Sequence, residues 1–352
     1  MENAAFKFKY VGKPVSCERF GNGHINKSFF VDTDENRKYV LQCISSVAFH
    51  DVPGLMDNAL SVSKHIAGKD SGKNSTLNFI QSEDGHCYFA DENGDYWRSY
   101  EYVDSLCLQS PELPEDFYEA GVAFGTFQKQ LDDFPADTLV ETIPNFHNTP
   151  DRFEKFRKAV AENAAGRADG VKEEIEFALA RESETGTLQD MLYKGELPLR
   201  VTHNDTKINN VLFDRDTRKA LCVIDLDTVM PGLSAFDFGD AIRFGASTGA
   251  EDEKDLSKVN LDLNLYRLFA RGFISSCPIL TEAEKSVLSI GSKLMTLECG
   301  TRFLTDYLEG DHYFSIDYPE HNLDRARTQF KLVMDMEEHW DEMERIIEEE
   351  SR

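Results

Sequence analysis

The chain has 352 residues, of which 41% are hydrophobic and 29% are charged. A single hydrophobic core rarely grows beyond about 250 to 300 residues, so this length favours two lobes with a cleft between them. The 64 acidic residues outnumber the 38 basic ones and give a formal net charge of −26. Because such a surface repels polyanions, we expect neither nucleic acid nor an anionic membrane as a partner.

The cysteines and the apolar segments bear on the compartment in which the protein resides. Seven cysteines are scattered singly along the chain without a CxxC pair, which is typical of reduced thiols. No basic and then apolar segment opens the chain, and no window approaches the roughly 18 apolar residues of a membrane span. We therefore expect a soluble, cytoplasmic protein, with a monomer as the favoured oligomeric state.

The first hundred residues are predicted to form a small, mostly antiparallel sheet with one helix. Apolar and polar residues alternate through 15–42, which is typical of strands joined by tight turns. A helix is predicted over about 53–67. Short strands are then predicted near 77–80, 86–90 and 96–102.

The remainder of the chain is predicted to be mostly helical. From Ala120 to Leu131 apolar residues recur at spacings of 4, 3 and 4, which places them on one helical face. Thr281 and Glu284 have the spacing of a capping box at the start of another helix. Further helices are predicted over 151–164, 171–183, 261–274, 281–308 and 322–348.

A β-hairpin at about 200–227 interrupts the helices and carries the polar residues that phosphoryl transfer requires. Asp205 and Asn210 are five positions apart, which is the Asp-x-x-x-x-Asn spacing of a kinase catalytic loop. Asp225 follows the second strand of the hairpin, at the place of the kinase metal-binding Asp. We predict that Asp205 is the catalytic carboxylate, and that Asn210 and Asp225 hold Mg²⁺ on the phosphates of ATP.

Other polar residues near these three have more than one interpretation. Lys207 is predicted either to neutralise the transferred phosphoryl group or to pair with the catalytic carboxylate when the site is empty. His203, Asp237 and Asp240 are expected to support the loop. Arg302 lies in an otherwise apolar helical stretch, where it is either a hydrogen-bond donor to substrate or a buried ion-pair partner.

Residues that bind the nucleotide are predicted in the first hundred positions. Gly21 and Gly23 lie between two strands, which excludes the strand-then-helix dinucleotide motif. They suit a flap whose backbone amides, together with Asn26, contact phosphates. Glu101 and Val103 end the region at a predicted hinge, where backbone groups would recognise adenine.

One position departs from the kinase pattern. Gln42 stands where a kinase has its phosphate-binding lysine, and an amide is a donor without charge. Gln42 is still expected to lie at the nucleotide. A different cation is then required, and Lys38 and Lys64 are candidates that the sequence does not rank.

Together these patterns predict two lobes. Residues 1–103 would form a nucleotide-binding lobe with a hinge at about 98–105. Residues 104–352 would form a catalytic and substrate-binding lobe.

Stretches along nearly the whole chain resemble the aminoglycoside phosphotransferase and choline kinase group and, within it, the N-acetylhexosamine 1-kinases. The similar stretches are 21–26, 39–42, 146–150, 200–210, 224–232, 236–247, 251–259, 299–311 and 318–323. The resemblance implies an α+β, bilobal, protein-kinase-like fold with a small antiparallel β N-lobe and a larger, mostly helical C-lobe.

The resemblance also implies a reaction. It is transfer of the ATP γ-phosphate to the anomeric hydroxyl of N-acetylglucosamine or N-acetylgalactosamine, with Asp205 as the catalytic residue. By the same resemblance Arg302 contacts the sugar, and Asp227 is expected to contact the substrate as well. A polycationic aminoglycoside would favour carboxylates in place of Arg302.

Other functions stay open at this point. The same fold could phosphorylate choline, homoserine, methylthioribose, an aminoglycoside or a different sugar. Gln42 alone would also suit a non-catalytic nucleotide-binding protein, and acidic clusters occur in Mg²⁺-dependent hydrolases. The spacing of Asp205, Asn210 and Asp225 argues against the last two.

Overall fold

The computed structural model describes residues 2–21, 26–46, 48–70 and 75–352. Its strands are β1 (Pro14–Arg19), β2 (Lys27–Thr33), β3 (Lys38–Ile44), β4 (Tyr88–Ala90), β5 (Tyr96–Glu101), β6 (Leu106–Cys107), β7 (Arg200–Thr202), β8 (Val211–Phe213), β9 (Ala220–Val223) and β10 (Met230–Gly232). Its α-helices are α1 (Glu2–Ala5), α2 (Val52–Lys69), α3 (Pro114–Gln130), α4 (Thr149–Glu162), α5 (Lys172–Leu179), α6 (Thr187–Tyr193), α7 (Ser234–Gly245), α8 (Leu263–Ser276), α9 (Glu282–Ser286), α10 (Leu288–Glu309), α11 (His321–Glu338) and α12 (Trp340–Glu350).

The first five strands form one antiparallel sheet in the order β1-β2-β3-β5-β4. The two-residue period of a strand places Phe29 and Val31 of β2 on the same buried face as Tyr39 and Leu41 of β3. Trp97 of β5 completes this core, and the short α1 packs against it. The sheet therefore has a small core of its own.

Helix α2 joins this sheet to the helical part of the chain. Asp51 caps its start by accepting a 3.0 Å hydrogen bond from the N–H of Gly54. Ala59, Val62 and Ile66 lie along one face of α2 and belong to the largest core, which also contains residues of α3 and α8. The two parts of the chain thus share buried apolar surface beside the cleft.

The helices of the second part approach each other closely at glycines. A Cβ at Gly239 of α7 would collide with the carbonyl oxygen of Gly291 of α10, and a Cβ at Gly291 would collide with that of Ala235. Gly121 of α3 and Gly272 of α8 permit a second close crossing of the same kind. Backbones in such direct contact leave little freedom for either helix to slide, because a larger side chain would force them apart.

The predicted hairpin is present as two small sheets. β8 pairs with β9 and with β6, while β7 pairs with β10. Short 3-10 turns at Ile208–Asn210 and Leu226–Thr228 follow β7 and β9. Asn210 lies in the first turn and Asp227 in the second, while Asp205 and Asp225 lie in the segments that lead into them.

Most of the predicted elements are confirmed, with three corrections. The helix predicted over 281–308 is broken at Val287 into α9 and α10, and the one over 322–348 is broken at His339 into α11 and α12. The strand predicted near 77–80 amounts to one bridge, between Phe79 and Tyr100. Among the helices of the described ranges, none is long and apolar enough to cross a membrane.

Glu284 connects three elements around the hairpin. It closes the predicted capping box with Thr281 at the start of α9. Its buried carboxylate also accepts two hydrogen bonds of 3.0 Å from Arg200 of β7 and one of 3.0 Å from Ser234 of α7. Burial raises the pKa of Glu284, but hydrogen bonds from Arg200 and Thr281 outweigh burial and hold the pKa below its ordinary value of 4.5.

We expect Glu284→Gln to lower the free energy of unfolding by about 3 kcal/mol, because Arg200 would lose its buried carboxylate. A depressed folded-state pKa stabilises the protein above the unfolded pKa, and that stabilisation is lost as pH falls through the folded pKa. The deficit of the variant should therefore shrink below about pH 4.5. Denaturant unfolding of both proteins at a series of pH values measures it.

Glu282→Gln is the matched control on the same helix. The Glu282 side chain is 88% exposed and pairs only with Lys285 among the described residues, so its loss should cost under about 0.5 kcal/mol. Equal deficits for the two variants would contradict a connecting role for Glu284.

Candidate active site

The loop after β7 is held in an uncommon backbone conformation. Asn204 has a φ of 64°, a left-handed value that few residues other than glycine adopt and that Asn tolerates best. Its side chain is fixed at both ends: Oδ1 accepts from the Thr202 hydroxyl at 2.9 Å, and Nδ2 donates to the Thr228 carbonyl at 2.9 Å. The backbone therefore turns sharply just before Asp205.

Two carboxylates of α7 bind the backbone of this loop. The fully buried Asp237 accepts hydrogen bonds from the N–H groups of His203 at 3.0 Å and Asn204 at 2.8 Å. Asp240 accepts from the N–H of Thr206 at 2.9 Å. The supporting role predicted for these two carboxylates is confirmed by these bonds.

His203 supports the loop through its ring. Its Nε2–H donates to the Ile224 carbonyl at 2.9 Å, while Nδ1 accepts from the N–H of Asp205 at 3.3 Å. The rings of Phe124 and Phe127 pack against it at centroid distances of 5.6 and 5.9 Å. The imidazole thus ties the loop to the end of β9 and is itself turned away from the cleft.

Asp205 lies in the cleft with Asn210 and Lys207 beside it. Asn210 donates from Nδ2 to Asp205 Oδ2 at 3.0 Å, and Lys207 Nζ lies 3.1 Å from Asp205 Oδ1. Burial raises the pKa of Asp205, but the charge and hydrogen bond of Lys207, together with other nearby charges such as that of Arg243, outweigh burial and hold the pKa below the usual range. Asp205 in turn raises the pKa of Lys207. The pair is therefore ionised in the absence of ligands.

Asp225 is placed beside Asn210, and its carboxylate has no partner among the residues that the structure describes. The N–H of Ile224 donates to the Asn210 carbonyl at 2.8 Å, and Asp225 then takes a left-handed φ of 61°. None of the hydrogen bonds or ion pairs within the described ranges uses its carboxylate. Burial, followed by repulsion from Asp227 and Asp205, raises the pKa of Asp225 to about 7.

This environment fits a cation. One carboxylate and one amide oxygen are hard ligands of the kind that Mg²⁺ takes in small number, with phosphate and water completing the shell. A positive charge would also relieve the repulsion between Asp225 and its neighbours. Among the described residues, no three His, Cys, Asp or Glu side chains gather closely enough to hold a metal by themselves.

The side chain of Asp227 points away from Asp225 and Asn210, towards the sheet of the first lobe. One of its oxygens accepts from Asn26 Nδ2 at 2.6 Å, and the other forms an ion pair with Arg98 of β5. Arg98 also donates from Nε to Gln42 Oε1 at 2.9 Å. The side chains of Arg98 and Asp227 are only 3% and 4% exposed, so the pair is buried between the two lobes.

The remaining residues predicted to bind nucleotide lie along the same lobe. Gly21 has a φ of 71°, with open space where a Cβ would lie. Gly23 lies outside the described residues. Glu101 ends β5 and pairs with Arg37 at 2.9 Å, while Val103 is buried in the connection to β6.

Arg302 of α10 lies in an aromatic box. Its guanidinium is 5.1 Å from the ring centroid of Phe146, 5.9 Å from that of Tyr313 and 5.6 Å from that of Phe314. In the part of the chain that the structure describes, no hydrogen bond or ion pair uses this guanidinium. Of the two interpretations from sequence, the buried ion-pair partner is therefore the less favoured.

Two residues connect this box to the catalytic loop, and sequence reasoning gave them no role. Glu298, one helical turn before Arg302, accepts from His147 Nδ1 at 2.9 Å and from the Thr149 hydroxyl at 2.8 Å. The other ring nitrogen of His147 lies 3.1 Å from the Asn204 carbonyl. Arg98 was likewise missed, and its only sequence signal is a charge within an apolar strand.

Comparisons with known proteins agree with this geometry. A model of the phosphotransferase enzyme family (APH) matches residues 16–267. The aminoglycoside phosphotransferase of Alicyclobacillus acidocaldarius is a similar solved structure, with a TM-score of 0.65 and 13% identity over 99% of this chain and 96% of that one. A microcompartment-associated aminopropanol kinase gives a TM-score of 0.61 and 14% identity over 97% of each chain.

Spectinomycin phosphotransferase, solved in complex with ADP and spectinomycin, gives a TM-score of 0.59 and 11% identity over 96% of this chain and 94% of that one. At such identities the likeness establishes the fold, which is the predicted protein-kinase-like one, with an antiparallel N-lobe sheet and a mostly helical C-lobe. The family model spans well over half of the chain and includes the whole segment from Asp205 to Asp240, and the chain therefore belongs to the APH phosphotransferase enzyme family.

Proposed function

We propose that this phosphotransferase moves the γ-phosphate of ATP to the anomeric hydroxyl of N-acetylglucosamine or N-acetylgalactosamine and releases the sugar 1-phosphate. The observation that carries the proposal is the guanidinium of Arg302, which has no hydrogen-bond or ion-pair partner among the described residues. A planar guanidinium surrounded by aromatic rings presents several N–H donors in a fixed fork geometry. Those donors suit the hydroxyl and acetamido oxygens of a neutral sugar.

The contacts of Glu298 support a position for Arg302 close to Asp205. Glu298 and Arg302 are four residues apart on α10 and so lie on the same helical face. Glu298 contacts His147, and His147 contacts the carbonyl of Asn204, the residue before Asp205. An acceptor that contacts Arg302 would therefore have a short path to the catalytic carboxylate.

The charge of Arg302 argues against a cationic acceptor. The similar structures named above include kinases of aminopropanol and spectinomycin, which carry amino groups. A buried or half-buried arginine repels an ammonium group, because like charges at short range destabilise each other. A neutral N-acetylated sugar escapes this cost.

The residues of the catalytic loop would divide the work of transfer. Asp205 would accept a hydrogen bond from the anomeric hydroxyl and take its proton as the bond to phosphorus forms. Asn210 would hold the other oxygen of that carboxylate, as it does at 3.0 Å. Lys207, which pairs with Asp205 in the absence of ligands, would then turn to the charge on the transferred phosphoryl group.

Asn210 and Asp225 would provide the protein ligands of Mg²⁺, with ATP as co-substrate. Bound there, Mg²⁺ would offset the charge of the β- and γ-phosphates. Asp227 is proposed to contact the acceptor once its present partners in the first lobe release it. Gly21, Asn26 and Gln42 would lie near the phosphates.

The proposed lobes follow the same division of work. Residues 1–103 would bind the nucleotide, with backbone groups of Glu101 and Val103 in the 98–105 hinge contacting adenine. Residues 104–352 would hold the metal and the sugar. A cytoplasmic, monomeric enzyme without nucleic-acid or membrane partners is part of this proposal.

We expect ADP formation from ATP and Mg²⁺ to depend on N-acetylglucosamine or N-acetylgalactosamine, and Asp205→Asn to lower kcat by about 10² to 10⁴-fold, because the acceptor loses its general base. A coupled ADP assay over a panel of acceptors, with phosphorus NMR of the product, measures both effects. The panel includes choline, ethanolamine, homoserine, methylthioribose and an aminoglycoside.

Asp216→Asn is the control, since Asp216 lies in the exposed turn between β8 and β9 and its removal should leave kcat unchanged. Turnover with an amine acceptor but not with either N-acetylhexosamine would overturn the choice of substrate. ADP formation that ignores every acceptor would indicate a hydrolase.

We expect Arg302→Lys to lower kcat/KM for the sugar by about 10- to 100-fold and to leave the KM for ATP unchanged, because a lysine keeps the charge but loses the paired N–H donors. Steady-state kinetics with each substrate varied in turn separates the effect on kcat/KM for the sugar from the effect on the KM for ATP. Arg181→Lys is a matched control, because Arg181 also stacks on a ring, that of Phe177 at 3.6 Å. A rise in the KM for ATP of the same size would place Arg302 elsewhere.

We expect Asp225→Asn to remove most of the gain in ATP affinity that Mg²⁺ confers, while ATP affinity without Mg²⁺ stays equal or rises, because a repulsive carboxylate is lost. Titration calorimetry with and without Mg²⁺ gives the four affinities. Should the variant retain the full gain from Mg²⁺, Asp225 is not a metal ligand.

A further inference from the structure

A buried arginine occupies the small lobe where β3 provides no cation. Arg98 of β5 lies directly opposite Gln42 of β3 in the antiparallel register, so the two side chains share one face of the sheet. Arg98 is 2% exposed. Gln42 accepts from Arg98 Nε at 2.9 Å and donates to the Ser28 hydroxyl at 3.0 Å, which fixes the orientation of both side chains.

The counter-ion of Arg98 comes from the other lobe. Nη1 of Arg98 pairs with Asp227, two residues after the candidate metal ligand Asp225. Asn26 donates to the second oxygen of Asp227 at 2.6 Å and accepts from the N–H of Ser45 at 3.0 Å. The guanidinium therefore lies at the back of the cleft, next to the segment where the phosphates of a nucleotide are expected.

The cations considered from sequence do not occupy this place. Lys38 is exposed and lies over the ring of Phe30 at 5.5 Å, and Lys64 is exposed on α2. From α2, Met56 contacts Arg98, with its sulfur 3.9 Å from Nη1. In protein kinases the β3 lysine pairs with a glutamate of the corresponding helix, and a thioether cannot replace that charge.

We propose that Arg98 is the small-lobe residue that binds the nucleotide phosphates, in place of a lysine on β3, and that Asp227 holds it there until the nucleotide arrives. The proposal rests on the nucleotide-dependent transfer proposed above. Gln42 anchors Nε, so the two Nη groups can exchange one anionic partner for another without moving the whole side chain. A guanidinium fork fits two phosphate oxygens as well as it fits a carboxylate.

The test compares adenosine, ADP and ATP binding by titration calorimetry, without acceptor. Arg98→Gln should weaken ADP and ATP about 10- to 100-fold, the loss of charge-assisted hydrogen bonds, and leave adenosine within about twofold, because adenosine has no phosphate. Asp227→Asn should keep or improve ADP affinity, because Arg98 is then released from its counter-ion. The double variant Arg98→Gln with Asp227→Asn avoids an unpaired buried carboxylate and should match Arg98→Gln in its nucleotide pattern.

Arg200→Gln is the matched control, since Arg200 also pairs with a buried carboxylate, Glu284 at 3.0 Å, and should lose stability without any change in the ratio of ADP to adenosine affinity. Equal weakening of adenosine and ADP in the Arg98 variants would overturn the proposal and leave Arg98 a structural link between lobes. Unchanged ADP affinity would overturn it as well.

The outcome is separable from the sugar assignment. Loss of ADP binding in the Arg98 variants of a protein that phosphorylates no N-acetylhexosamine would support Arg98 and reject that acceptor. Transfer to the sugar with ADP affinity independent of Arg98 would do the reverse.

Discussion

Three carboxylates face one cleft, and the site depends on which partner, if any, the chain provides for each of them. Asp205 is paired with Lys207 at 3.1 Å, and Asp227 is paired with Arg98 and hydrogen-bonded by Asn26. Asp225 has no such partner among the described residues, and burial and its two acidic neighbours raise its pKa to about 7. Repulsion of this kind is costly without a cation. Added positive charge at Asp225 would therefore be favourable.

The helical lobe holds this arrangement in place through buried charge and close packing. Asp237 accepts hydrogen bonds from two backbone N–H groups of the loop. A neutral side chain of the same size would form weaker hydrogen bonds to them. The contact of Gly239 with Gly291 fixes α7 against α10, and α10 carries Arg302. The loop after β7 and the proposed acceptor side thus rest on two helices whose backbones are in direct contact.

The sequence predicts site residues that lie close together along the chain, but it does not predict contacts between residues that are far apart along it. Asp205, Asn210 and Asp225 fall within 21 residues of chain, so their spacing alone indicates one site. Arg98 and Asp227 are 129 positions apart, and no periodicity or motif links a strand of one lobe to a turn of the other. The mostly antiparallel first lobe, the helical second lobe and most of the helices can be predicted from the spacing of apolar residues. In contrast, 281–308 reads as one helix because nothing in its pattern marks the break at Val287.

Helix α7 shows the same limit at the level of secondary structure. Eleven of its 12 residues are buried, among them Asp237, Asp240 and Arg243, so its polar residues do not mark a solvent-exposed face as they do in a surface helix. Those charges are buried because they bind one another and the loop: Arg243 pairs with Asp240 at 2.9 Å, and Asp237 binds backbone. A helix that exists to support a site breaks the pattern by which helices are found in sequence.

The pair between Arg98 and Asp227 also bears on how the two lobes communicate. Because it is buried, salt screens it little, and an unpaired member would be costly in that environment. The lobes can separate at this point only if another charge replaces one partner. An anionic phosphate can take the place of Asp227 as the ion-pair partner of Arg98, whereas a neutral acceptor cannot. In the proposed binding mode, the nucleotide would therefore meet Arg98 before Asp227 is released towards the acceptor.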